Sequence, residues 1–324
     1  MKKGKRRGMF ILLCIIVFVL SVVLGVVSKF ALNPANGKYT TKWDESVGTT
    51  HSDLPYQSEY GKENYHKFDL YVPADSSKEN YGLIVYLHAG GFTSGDKTDD
   101  KNILQYYASL GYVTAGINYT LRTDATPEAS VYSQTMEIKE AMPYVIEEAG
   151  KLGYNVTEMT ISGGSAGGCL ALTYAYRDAE TSPVPVRMVF EMVGPSSFYP
   201  EDWTCYGFDQ NKEAAAGLFS VMTGKEIKAD MFGTDEYDEL VKDSSALFWV
   251  RENSVPTVMA YGKYDTVQPY LGSVRLDKKL TEKGVDHKYF VMEHSGHGCQ
   301  NDSKKNMEYM ETVQEYLDKY MPVK

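Results

Sequence analysis

Gly163-Gly164-Ser165-Ala166-Gly167 stands between two apolar runs, one from Val156 to Ile161 and one from Cys169 to Tyr176. The pentapeptide reads G-x-S-x-G. The first run, ending Met159-Thr160-Ile161, is strand-like. The second is apolar almost all round, as a helix buried at the centre of a fold would be. A serine between such a strand and such a helix sits on a strained turn, a nucleophile elbow, with its hydroxyl exposed. Glycines on either side are a steric need, because a side chain there would collide with the neighbouring strand or helix. Two rival glycine motifs fail. G-x-G-x-x-G would need glycine where Ser165 or Ala166 stands, and a phosphate-binding loop would need Gly-Lys where the chain has Gly168-Cys169.

A serine hydroxyl is a weak nucleophile until a base takes its proton. In elbow enzymes an acid and then a histidine follow the serine along the chain. His51, His66 and His88 therefore come too early. His287 opens a strand-like run, where it would pack or face solvent. His297 lies in Ser295-Gly296-His297-Gly298, a glycine-flanked loop after that strand, and is the candidate base; His294 is the alternative. His294, His297 and Cys299 also read as metal ligands, but no fourth ligand has suggestive spacing, so no metal is expected. About twenty Asp and Glu lie between Ser165 and His297, and position decides among them. Pro256 to Tyr261 reads as a buried strand, and Gly262-Lys263-Tyr264-Asp265 follows at its carboxyl end, where chemistry gathers in open α/β sheets. Asp265 is the candidate acid, against the plainer reading of a turn aspartate. Glu293 is almost adjacent to the proposed base and is a poorer choice.

Leu83 to Leu87 is a further apolar run, followed by His88-Ala89-Gly90-Gly91-Phe92. Glycines after a strand let backbone N–H groups point at a developing negative charge. Gly90 and Gly91, with the N–H of Ala166, are the candidate oxyanion hole, each donor worth about 3 kcal/mol of transition-state stabilisation. His88 is expected to hold this loop and not to act as the base.

These segments together resemble the α/β-hydrolases of the esterase/lipase kind, near the hormone-sensitive-lipase-like and bacterial carbohydrate-acetyl or feruloyl esterase branches. The resemblance runs through His88–Phe92, Ser94-Gly95-Asp96-Lys97, Gly111-Tyr112-Val113, Asn118-Tyr119-Thr120-Leu121, the elbow with Gly168, Gly262–Asp265 and Gly296-His297-Gly298. They occur in family order across most of 65–320. Ala89 replaces a glycine of the family's usual His-Gly-Gly-Gly loop, and Thr120 stands where an Arg often follows the Asn-Tyr pair. The resemblance implies a serine ester hydrolase with a Ser165-His297-Asp265 triad, no cofactor, and a small-molecule, lipid or glycan ester as substrate. A serine peptidase would use the same triad. A non-catalytic binding or adhesion protein on this fold would often have lost a triad member, and all three are present.

The rest of the chain alternates between strand and helix patterns. Strands are expected at 66–72, 83–87, 112–117, 186–192, 256–261 and 287–292, besides the elbow strand. Helices are expected at 102–110, at about 131–149 with Pro143 kinking or restarting it, after the elbow, and at the carboxyl end through Met310, Val313, Leu317 and Tyr320. Such alternation implies a mostly parallel sheet covered on both faces. About 195–248 breaks the alternation. It has no clear strand but holds Trp203, Tyr206, Phe208, Phe219 and Met222, and is expected to be a cap over the site.

At the amino end Lys2, Lys3, Lys5, Arg6 and Arg7 precede an uncharged run, Met9 to Val27, close to the about 20 residues that span a bilayer. The expected order is a basic cytoplasmic tail (1–8), a transmembrane signal anchor (9–28), a linker (29–60) and an extracytoplasmic catalytic domain (61–324), secreted if the signal is cleaved. The chain has 33 basic and 43 acidic residues, net −10. Residues 1–29 hold six basic and no acidic residues, leaving 27 against 43, net −16, for the remainder. That argues against nucleic acid and anionic polymers as partners. Of the cysteines beyond the anchor, Cys169 is expected to be buried, and Cys205 with Cys299 is the pairing to entertain.

Overall fold

The structure is a computed structural model describing residues 2–30 and 37–323; in the first helix it describes side chains at 9 and 11–25. The chain divides into two compact units, Met1–Thr40 and Thr41–Lys324. The first holds helix α1, Lys2–Phe30. Every described large apolar side chain of α1, from Met9 to Leu24, is exposed. Among the described residues no helix is long and apolar enough to cross a membrane. The side chains of the expected basic tail and the remainder of the 9–28 segment lie outside the described ones, as do residues 31–36 of the expected linker.

The second unit is built on eight strands: β1 (Gly48–Pro55), β2 (Lys67–Pro73), β3 (Tyr81–Leu87), β4 (Val113–Ile117), β5 (Val156–Gly164), β6 (Val186–Met192), β7 (Thr257–Gly262) and β8 (His287–Met292). They form one sheet in the order β1-β2-β4-β3-β5-β6-β7-β8. β1 and β2 run antiparallel to their neighbours, and all later pairs are parallel. The helices are α2 (Lys101–Ser109), α3 (Val131–Lys151), α4 (Ala166–Thr173), α5 (Lys212–Thr223), α6 (Asp235–Val241), α7 (Tyr270–Glu282) and α8 (Ser303–Tyr320). This is the α/β-hydrolase arrangement, with the mostly parallel sheet that the alternation implied. The central strands are apolar and buried, as strands covered on both faces must be: Leu83, Ile84, Val85 and Leu87 of β3 and Val258, Met259, Ala260 and Tyr261 of β7 have no exposed surface. The chain crosses from one half of the sheet to the other between β3 and β5. Their carboxyl ends therefore flank the crevice where this architecture collects ligands.

Three expectations change. Residues 48–55 fall in the expected linker but form edge strand β1. It pairs only with β2, its register breaks between His51 and Leu54, and most of its side chains face outward. A strand with one covered side carries little apolar signal. Pro143 does not restart α3, which runs as one helix through it. Pro143 lies on the exposed face, where water can satisfy the carbonyl that a proline frees one turn earlier. Cys205 and Cys299 are both unpaired, the first exposed and the second buried.

Residues 195–248 contain α5, α6 and several short 3₁₀ turns but no strand. They enclose a small core of their own, including Phe198, Trp203, Phe219 and Tyr237. The segment is fastened to α7 by a bidentate contact of Arg275 with Asp202 at 2.6 and 2.8 Å. Asp202 also accepts the Ser197 hydroxyl at 2.6 Å.

Candidate active site

Ser165 sits between β5 and α4 with φ 54° and ψ −119°, a backbone conformation that costs a non-glycine residue about 1–3 kcal/mol and persists only where packing enforces it. The enforcement is visible. A Cβ on Gly167 would lie 1.9 Å from the Leu87 carbonyl oxygen, and one on Gly163 would lie 2.4 Å from the Gly167 carbonyl carbon. Strand, helix and turn therefore approach closely enough to admit only glycine, as the motif predicted. The Ser165 N–H donates to the Met192 carbonyl at 2.8 Å, tying the elbow to the end of β6.

The candidate base and acid arrive on two neighbouring loops. The loop after β7 carries Asp265, and the loop after β8 carries His297. A Cβ on Gly262 would meet the Gly296 carbonyl oxygen at 2.1 Å, so these loops are pressed together at a glycine. His297 Nε2 lies 2.9 Å from Ser165 Oγ, and His297 Nδ1 lies 2.8 Å from Asp265 Oδ2. Asp265 Oδ1 accepts the backbone N–H groups of Val267 and Gln268, each at 2.8 Å. With one oxygen so engaged and the other facing the ring, the carboxylate orients His297 with its proton on Nδ1. Nε2 is left to accept from the serine. The Asp265 side chain is wholly buried, while His297 is part-exposed to the cleft.

Glu293 pairs with Lys263 at 2.6 Å and His287 with Asp277 at 3.0 Å, so neither joins the Ser165–His297–Asp265 line. His294 lies elsewhere on the loop, against Asp302. Among the described residues no cluster of His, Cys, Asp or Glu could hold a metal ion.

The loop after β3 is braced from behind. His88 stacks on Tyr119 at 4.2 Å, and the Tyr119 hydroxyl donates to the His88 carbonyl at 2.8 Å. Burial holds the His88 imidazole below its ordinary pKa, which suits a neutral strut. The Arg122 N–H and the Gln134 amide both donate to the Phe92 carbonyl. Asn118 reaches the other end of the loop, donating to Asp96 at 2.8 Å and accepting from the Lys97 N–H at 2.6 Å. Burial works to raise the Asp96 carboxyl, but bonds from Asn118 and Thr98 outweigh it and hold it at about 2.

Gly91 and Ala166 line a cavity of about 220 Å³ together with Ser165 and His297. Gly90 does not line it. At φ 121° its carbonyl instead accepts from the Thr93 and Ser94 N–H groups, closing the turn. Phe92, which sequence reading passed over, does line it and has a positive φ of 67°. A non-glycine residue in that conformation leaves no mark in the sequence. Ala166 is the first residue of α4, where a helix N–H has no partner within the helix and the dipole favours negative charge.

Two further residues went unread. Glu191 is fully buried at the end of β6, where burial pushes its carboxyl up to about 8 against the bonds from Gly194 and Tyr261. It accepts the Gly194 N–H at 2.8 Å and packs against Gly168 of the elbow helix. A lone acid in the apolar run Val186–Met192 was the available signal. Arg122 lines the cavity and left none. The insertion contributes Trp203, Tyr206, Leu218, Val221 and Met222, so the wall facing the serine is largely apolar.

Comparison with known proteins bears on the family and the fold. A profile of the BD-FAE family matches residues 68–280. The fold is shared with a truncated carbohydrate esterase from gut microbiota (TM-score 0.65, 18% identity, 86% of this chain and 98% of that one). It is shared also with esterase B from Lactobacillus rhamnosis, solved with a C6-C4 SN3 inhibitor (TM-score 0.64, 18% identity, 94% and 96%). In sequence the chain is 27% identical over 193 residues to the non-reducing polyketide synthase atr1 of Stereocaulon alpinum, covering 56% of this chain but 7% of that protein's length. The match spans the 88–92 loop, the elbow and Asp265, and on it the chain belongs to the BD-FAE family, an α/β-hydrolase of the esterase kind.

Proposed function

We propose that this protein is a serine carboxylic-ester hydrolase working through an acyl-enzyme on a short-chain or carbohydrate-linked ester. The observation that carries the reading is the unbroken line from Asp265 through His297 to Ser165, at 2.8 and 2.9 Å, opening on an apolar cavity. Ser165 Oγ attacks the ester carbonyl as His297 Nε2 takes its proton. The oxyanion is held by backbone N–H groups at Gly91 and Ala166, with the Gly90–Phe92 turn presenting the first. The tetrahedral intermediate collapses and His297 protonates the departing alcohol. Water then attacks the acyl-enzyme with His297 again as base, releasing the acid. Asp265 keeps the ring oriented and stabilises its cationic form without taking the proton. The 195–248 insertion serves as a cap that supplies the apolar wall.

The test is labelling of the full-length protein with a fluorophosphonate probe, beside turnover of a p-nitrophenyl ester series from acetate to palmitate. Labelling and turnover are expected, with short chains preferred, and Ser165→Ala should abolish both. Turnover that survives the substitution would overturn the reading.

The same proposal places the catalytic unit outside the cytoplasm, anchored by 9–28. Its support is the uncharged run behind a basic start and the exposure of every described large apolar side chain of α1. The protein should stay with membranes through alkaline carbonate extraction, and its catalytic unit should be cleaved by protease added to intact cells. Release by carbonate, or protection from protease, would reject the anchor.

A further inference from the structure

Resting on the ester-hydrolase reading, we propose that Arg122 is a specificity-determining residue and that the preferred ester carries a carboxylate beside the scissile bond.

Arg122 lines the cavity that holds Ser165 and His297, and among the described residues it is the lone Lys or Arg there and no Asp or Glu lines it. The remainder of the wall near it is apolar or already engaged. Ala129 and Val131 offer side chains without charge, and Ser130 caps α3 by accepting the Ser133 N–H at 3.2 Å. Arg122 is fixed in place from two sides. Its backbone N–H donates to the Phe92 carbonyl at 2.9 Å, and Nη1 donates to the Ala129 carbonyl at 2.9 Å. That leaves the other edge of a planar, always-charged fork with no carboxylate bound to it among the described residues. Glu128, an acid whose field it shares, is claimed by Lys62 at 2.7 Å.

Arg122 lines a largely apolar cavity, and a carboxylate is the ligand group its fork geometry matches. The amino-terminal end of α3, at Ser130 and Val131, borders the same cavity and adds a positive dipole of the same sense. The rest of the catalytic unit is strongly acidic, so this local positive spot selects against the general field and not with it. The carboxylate can sit on the acyl group or on the alcohol; the chemistry Arg122 reads is the same.

Two ester pairs, hydrolysed at neutral pH by the full-length protein, separate the sources. The monoethyl ester of adipic acid against ethyl hexanoate puts the charge on the acyl side. The butyryl ester of 3-hydroxybenzoic acid against phenyl butyrate puts it on the alcohol side. The readout is the ratio of kcat/KM for the charged over the neutral ester. In one arm this ratio should fall by at least about tenfold in Arg122→Gln, as expected for losing a charge-assisted hydrogen bond. It should fall further in Arg122→Glu and be largely kept in Arg122→Lys. Added salt should raise KM for the charged ester of that arm and not for its neutral mate, a measurement that needs no variant. Ratios unmoved in both arms, with charged and neutral esters losing activity together, would show Arg122 to be a strut for the 122–130 loop and overturn the inference while the esterase reading stands. Absence of turnover on all four esters together with absence of fluorophosphonate labelling would overturn both.

Discussion

Two histidine–aspartate pairs share the loop that follows β8. His297 meets Asp265, and His294 meets Asp302, each through Nδ1 at 2.8 Å. By distance they are the same object. They differ in where the acid comes from and in what the other ring nitrogen touches. Asp265 is brought by the loop after β7, its side chain is wholly buried, and His297 Nε2 goes on to Ser165 after β5. Asp302 lies on the same loop as its histidine, and the His294 side chain is 78% exposed, with no partner at Nε2 among the described residues. The first pair, with Ser165, joins three strand ends and sets His297 Nε2 against the serine hydroxyl. The second is local and closes a loop: Asp302 also accepts the His294 N–H and the Ser295 hydroxyl, and Asn301 donates to the His294 carbonyl. The second pair thus holds the ends of the segment that presents the first.

The sharpest way to break this contrast is to remove each ring in turn. His297→Ala should cost about 10⁵–10⁶-fold in kcat, the scale on which a base of this kind acts. His294→Ala should stay within about tenfold, because an exposed ring carries no step of the reaction and its loss only loosens the loop. The acids should repeat the pattern more mildly, with Asp265→Asn near 10⁴-fold, a loss caused by the wrong imidazole tautomer. Steady-state kinetics on one p-nitrophenyl ester decides it. Equal losses in the two histidine variants would mean that the relay is not the His297 line.

The contrast also explains what could be read in the sequence. The elbow was legible because its steric demand is written as glycines, and Gly167 stands 1.9 Å, at its absent Cβ, from the Leu87 carbonyl. The places of His297 and Asp265 were legible because both follow recognisable apolar runs and stand at the carboxyl ends of parallel strands, where ligands gather in such sheets. Choosing His297 over His294 rests on glycine flanking and on the greater distance of His297 from the strand. The reason for the choice, a carboxylate arriving from another strand, exists only after folding. The same holds for the oxyanion turn. Gly-Gly-Phe shows where the backbone turns but not that Gly91 and Phe92 reach the cavity while Gly90 closes the turn behind them. β1 went unread because an edge strand with one covered side mixes polar and apolar residues without a clean period. Arg122 carried no signal, since its place depends on how the 122–130 loop folds back onto Phe92 and Ala129.

The smallest effect concerns the loop clasp itself, and it has a sign. Burial works to raise the Asp302 carboxyl, but the bonds from the Ser295 hydroxyl and from the His294 ring and N–H outweigh it, so the group stands below its ordinary value. A carboxyl lowered on folding stabilises the native state at pH values above its unfolded pKa, and that stabilisation is lost as the pH falls through the lowered one. The window therefore opens below about pH 4. Asp302→Asn keeps the shape and one acceptor but removes the charge. At pH 6 it should lower stability by about 1 kcal/mol, a shift in Tm of about 2 °C. Measured again at pH 3, the gap between wild type and variant should shrink, because the wild-type carboxyl has begun to take up its proton. Asp265 does not offer the same clean test, since replacing it perturbs the relay as well. A gap at pH 3 as wide as at pH 6 would show that Asp302 stabilises the loop by shape alone, and the two pairs would then differ even in whether charge matters to them.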